Sequence, residues 1–137
     1  FLYPENWTLE GEPAGRDHAS VTVVSPAGAF WSLTIHPASE DLAGLLRVVL
    51  NAFRAEYREL DAATAVQAIG GRQLTGYDIN FYCLDLTNTA QVRGFQTDWA
   101  TYVVLCQAED RDFAGIEQVF LAMTTSLMQG MASNQDD

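Results

Sequence analysis

Lysine is missing from this 137-residue chain. All seven basic residues are arginine, set against 18 acidic residues, for a net charge of −11. So acidic a surface repels phosphate backbones and anionic membrane surfaces, so nucleic acid is not an expected partner. A basic protein partner or a cation stays compatible with it, and its simplest effect is to keep the protein soluble. Long apolar runs are missing too: none approaches the ~20 residues of a membrane span, and no span is expected. Sequence signatures of chemistry are equally scarce. There is no G-x-G-x-x-G, no Walker A, no C-x-x-C and no H-E-x-x-H. Cysteine occurs only at Cys83 and Cys106, and histidine only at His18 and His36. No cofactor and no bound metal are expected.

What is present reads as one globular domain. The apolar fraction is 48% and the charged fraction 18%, a composition that favours folding over disorder. The expected domain covers residues 1–132, with 133–137 as a flexible tail. The chain opens on Phe1, as an excised domain or a processed chain would. For compartment, the expectation is a soluble protein, with the cytoplasm favoured over export.

Strand signals come first: Trp7 to Leu9, Val21 to Ser25, a turn at Pro26 to Gly28, and Phe30 to His36 ended by Pro37. The period then changes. Ser39 is a good N-cap, and Leu42, Leu45, Leu46, Val49, Phe53 and Tyr57 recur at helical spacing. This predicts a helix over Glu40 to Glu59. Strand-like pieces follow at Ala65 to Ile69, Arg72 to Leu86, Thr89 to Gln96 and Trp99 to Glu109. The turns between them are expected at Gly70-Gly71, Thr87-Asn88 and Thr97-Asp98. A last helix, capped by Asp110 or Asp112, carries a stripe of Phe113, Ile116, Val119, Phe120, Met123 and Leu127. The fold class is therefore α+β: an antiparallel β-sheet meander flanked by helices.

The opening "FLYPENWTLEG" resembles that of the PsbP-like superfamily, through Phe1, Pro4 and Trp7. The resemblance continues through "FWSLTIHP", the acidic-capped helix, the meander and the closing helix with Phe113 and Phe120. The superfamily includes the photosystem extrinsic protein PsbP, a Ran-binding nuclear import factor, and bacterial lipoproteins and secretion-effector chaperones. The resemblance implies an α/β/α sandwich that works by binding, and it implies no catalytic residues. This chain departs from relatives that bind through basic contacts, because it has no lysine.

Parity along the strands sorts the remaining candidates. With two-residue turns at 87-88 and 97-98, Cys83 opposes Val92, and Val92 opposes Val103. Cys106 then points to the other face, so no disulfide can form, and two unpaired thiols are expected to act as small hydrophobes. Asp78 and Asp85 have opposite parity and cannot make a catalytic dyad. In the same register Tyr82 lies opposite Arg93, Arg93 opposite Tyr102, and Asn80 opposite Phe95. One face thus gathers Asp78, Asn80, Tyr82, Arg93 and Tyr102 as a candidate binding surface, with Arg93 between two tyrosines. A solvated sheet face stitched by such pairs is the competing reading. Three functions follow. The leading one is a non-enzymatic binding or adaptor domain for a protein or peptide, as a monomer or homodimer. The second is a small-ligand-binding or hydrolytic domain with a polar pocket near His36. The third is a structural module of a larger assembly.

Overall fold

A computed structural model describes residues 1–12 and 19–135. His18, expected in a polar loop, lies outside them. The elements run β1 (Thr8–Glu12), β2 (Ala19–Val24), β3 (Phe30–Pro37), α1 (Leu42–Glu56), β4 (Leu60–Ile69), β5 (Arg72–Cys83), β6 (Leu86–Gln96), β7 (Ala100–Glu109) and α2 (Asp110–Gln135). The strands form one antiparallel sheet in the order β1-β2-β3-β7-β6-β5-β4. The α+β expectation holds.

The two helices cover opposite faces, because the strands alternate. On one face Ile79, Phe81, Ala90, Val92 and Val103 pack under Leu46, Leu50 and Phe53 of α1. On the other, Trp31, Leu33, Val104 and Cys106 pack under Phe113, Phe120 and Met123 of α2. Leu74, Phe95 and Met128 extend this second layer toward β4. Trp31 is fully buried, and its indole N–H donates to Thr124 Oγ1 at 2.9 Å. The amino-terminal aromatics pack inward in part: Trp7 meets Phe120 edge-on, and Phe1 lies 4.7 Å from the Trp31 ring.

Several boundaries differ from expectation. Asp41, not Ser39, caps α1: its Oδ2 accepts the Gly44 N–H at 3.1 Å. The helix stops at Glu56 because Tyr57 turns extended and the chain enters β4 at Leu60. β4 begins five residues earlier than the expected Ala65. Leu60 to Thr64 have little strand propensity, but pairing with the long β5 overrides it. Helix α2 runs on to Gln135, into the stretch expected as a tail, whose last two residues lie outside those described.

The largest change is in register. The turn expected at Thr87-Asn88 falls at Leu84-Asp85, both with positive φ, at 53° and 65°. Two left-handed residues in a two-residue turn match the twist of the flanking strands. Cys83 therefore faces Leu86 rather than Val92, a shift of six positions. Val92 faces Leu105 rather than Val103, a shift of two. Both shifts are even, so each residue keeps the face that parity assigned it. Cys83 joins the layer under α1, Cys106 the layer under α2, and both are free.

Burial pushes the Cys106 thiol far above the ordinary thiol range, and the nearby Arg93 charge offsets this only in part. The unfolded chain ionises an ordinary thiol near about pH 8.5. The folded state thus holds the proton longer. Its stability is intact below that pH and falls as pH rises through it, at up to about 1.4 kcal/mol per pH unit. Burial, then the Glu56 and Cys83 charges, also raise Tyr57, but an unfolded tyrosine ionises only near about pH 10. Urea midpoints at about pH 8 and about pH 9.5 should therefore fall for the wild type and fall less for Cys106→Ala. Equal slopes would remove Cys106 as the cause.

Candidate functional site

The five predicted residues do share the α2 face of the sheet, but the structure distributes them differently along it. Arg93 faces Gly76 and Val104, not Tyr82 and Tyr102. Only 7% of it is exposed. Its register partner on β5, Gly76, carries no side chain, and Arg93 directs its donors inside the protein. Nε donates to Gln67 Oε1 at 2.9 Å, and Nη1 to the carbonyls of Tyr77 and Val92, both at 3.1 Å. Nη2 meets Asp78 Oδ1 at 2.7 Å. This cluster ties β4, β5 and β6 together through one guanidinium, whose planar fork suits several acceptors at once.

The expected stack of Arg93 between two tyrosines is absent, and a different one takes its place. Tyr102 stacks on Phe95 with ring centres 4.7 Å apart and planes 9° from parallel. Arg72 lies 5.5 Å from the Phe95 ring centre. These residues belong to the far end of the sheet, beside an open groove of about 750 Å³ lined by Arg72, Gln96, Asp98 and Trp99. Trp99, at the β6–β7 turn, is 79% exposed. His36, next to last in β3, is near this groove without lining it; its Nε2 is 3.2 Å from Thr34 Oγ1 and its Nδ1 3.4 Å from Glu40 Oε2. Among the described residues, no group of three or more His, Cys, Asp or Glu is placed to hold a metal. Among them also, no helix is long and apolar enough to cross a membrane.

Asn80 and Tyr82 belong to the opposite end, by the β5–β6 turn. They line a cleft of about 430 Å³ together with Arg58, Asp61, Thr87 and Asp110. Thr89, paired with Asn80 across the strands, sits 3.0 Å from the Asn80 amide and 2.5 Å from Asp110 Oδ1. A hydroxyl has one proton, and the short contact to a carboxylate takes it. Thr89 thus bridges Asn80 Oδ1 and Asp110 Oδ1, and Asp61 adds a second carboxylate to the lining. Tyr82 is 53% exposed, Leu86 41% and Leu84 91%. Sequence reading missed both leucines, because their parity looked unremarkable until the turn between them was located.

No family model matches the chain, and no curated protein matches it. In structure it is similar to LpqN, described as involved in cell envelope biogenesis of Mycobacterium tuberculosis. The identity is 14% and the TM-score 0.46, over 86% of this chain and 75% of that one. A likeness of that degree carries neither a family nor a function over to this chain.

Proposed function

We propose that this domain works by binding a protein or peptide rather than by catalysis, and that its contact surface is the β5–β6 end of the sheet. The observation that carries this reading is the hairpin tip. Leu84 holds a left-handed backbone, which is unfavourable for a side chain of its kind, while its side chain stays 91% exposed. The hairpin dictates that backbone, but asparagine or glycine would meet it with less strain, so an exposed leucine at this position is what folding alone does not explain. Tyr82 and Leu86 stand beside it as further anchors, and the cleft behind them carries Asp61 and Asp110. A segment with an apolar side chain and a basic one fits this pairing, and the net charge of −11 steers such a partner toward the protein. In this reading Asn80 and Tyr82 are contact residues. Asp78 and Arg93 hold the strands beneath them, and Tyr102 anchors the far end of the same face. The PsbP-like outline of the amino-terminal segment agrees with a binding role.

The test separates binding from folding. Replacing Leu84-Asp85 by Asn-Gly relieves both left-handed positions with the residues that favour them. This variant is expected to be about 1 kcal/mol more stable than the wild type, because the strain is removed. Peptides selected against the wild-type surface from a random library should bind it about tenfold less tightly, and Tyr82→Ala should lose a similar factor. Selected peptides that ignore both changes would move the contact surface elsewhere. Peptides that never emerge from selection would count against a peptide-binding role.

A further inference from the structure

The two edges of the sheet are protected very differently. β1 is five residues long and carries Glu10 and Glu12. A second copy pairing there would oppose glutamate to glutamate, and short, charged strands are a usual way to blunt an edge. β4 has none of these devices. It runs ten residues, Leu-Asp-Ala-Ala-Thr-Ala-Val-Gln-Ala-Ile, with no proline and one ionisable residue, Asp61. Its pairing with β5 is continuous from Leu60↔Phe81 to Ile69↔Arg72, with no bulge to twist the edge away. Ala62, Ala63 and Thr64 are exposed, and Val66 is 64% exposed. Its outer row of N–H and C=O groups faces away from the sheet, since β4 is the last strand in the order.

We infer that β4 is a self-association edge, at which two copies of this chain pair antiparallel about a two-fold axis perpendicular to the sheet. Charge selects this occupant. The start of β4 is acidic: Arg58, Glu59 and Asp61 together carry one negative charge. Its end carries one positive charge, Arg72, just beyond the Gly70-Gly71 turn. Antiparallel self-pairing lays the acidic start of each copy against the basic end of the other, twice. Between those ends, Ala62 to Ile69 hold no charge at all. Two molecules of net charge −11 can meet along this strip without bringing carboxylates together. The symmetry also keeps faces matched. A perpendicular two-fold puts both α1 helices on one side and both α2 helices on the other, giving a continuous fourteen-stranded sheet from two seven-stranded ones. With Ala65 on the axis, Thr64 of each copy lies opposite Val66 of the other, and the small side chains let the backbones reach ladder distance. A strip one strand wide buries less than a standard interface, so the dimer forms in the micromolar range rather than below it.

Sedimentation equilibrium of the whole chain, at rising concentration in low salt, tests this. The expected mass climbs to twice that of one chain. Thr64→Lys with Val66→Lys sets four ammonium groups against one another at the axis, so that variant should stay at the mass of one chain with an unchanged far-ultraviolet spectrum. Asp61→Lys, at an exposed position, is a second variant. It removes the attraction to Arg72 and should weaken the dimer at least several-fold while the strip itself is untouched. A wild type that keeps the mass of one chain throughout the micromolar range overturns the proposal and leaves the edge to a strand from another protein. A doubled mass that survives the paired lysines overturns it too, by assigning the contact to another surface. Neither outcome bears on the β5–β6 tip, whose test reads peptide affinity.

Discussion

Arg93→Ala is expected to lower the unfolding free energy by about 3 kcal/mol, the order of loss found when one member of a buried polar pair is removed. The missing guanidinium strands four acceptors: Gln67 Oε1, the carbonyls of Tyr77 and Val92, and Asp78 Oδ1. Asp78 contributes least to this cost, because its side chain is 44% exposed and regains water. The two carbonyls and the Gln67 amide lie under α2 or between strands and regain less. The reverse deletion works by a different route. Asp78→Ala leaves a guanidinium that is 8% exposed without its counter-charge, so it should cost nearly as much despite removing the more exposed partner. Combining the two changes should cost less than their sum by about 1–3 kcal/mol, the range of coupling between residues in one network. Urea unfolding of the four proteins in the cycle measures this. Additive losses would mean that the pair does not act as a unit.

Gly76→Ala should be comparably damaging with a single methyl group. The added carbon would overlap the carbonyl of Val92, and both the oxygen and the carbon it meets are backbone atoms. A flexible side chain could rotate away; a strand in the middle of a ladder cannot. β5 and β6 must therefore separate locally, at the point where Gly76 pairs with Arg93. The expected loss is about 3 kcal/mol, at the upper end of ordinary overpacking, and a melting temperature lower by about 10 °C. A Gly76→Ala protein that melts with the wild type would mean that the strands accommodate the methyl without cost.

Parity made the layers of this fold legible, while chain-local signals misplaced the turn. Thr87-Asn88 has the composition of a turn, yet Asn88 is a buried strand residue whose amide donates to the Leu86 carbonyl. Leu84-Asp85 has no such composition and makes the turn anyway. The consequence for the site was selective. Faces survived because both register shifts were even, so Asp78, Asn80, Tyr82, Arg93 and Tyr102 do lie on one side. Neighbours did not survive, because a shift of six residues moves a side chain roughly 20 Å along a strand. That is why Tyr82 and Arg93 are apart, and why Arg93 stays inside while Tyr82 stays out. The α1 stripe was easier to read: Leu46 and Phe53 are buried and Leu42, Leu45, Val49 and Tyr57 half-buried, although the stripe left out the buried Leu50. The start of β4 was hard to see, because its alanines favour helix and are depleted in strands, against the strand preference of Thr64.

The middle of the sheet joins distant parts of the chain. β3 and β7 pair from Phe30↔Gln107 to Pro37↔Ala100, and Trp31 reaches its partner Thr124 across 93 positions of sequence. The amino-terminal hairpin therefore has no neighbour until β7 has been synthesised, and the indole of Trp31 has no cover until most of α2 has followed. A topology with its central pairing this non-local implies slow folding, in the millisecond-to-second class of sheet-rich domains. On the ribosome it also implies a long interval in which Val23, Trp31 and Leu33 face water. The last helix is thus the part of the chain whose arrival completes the fold.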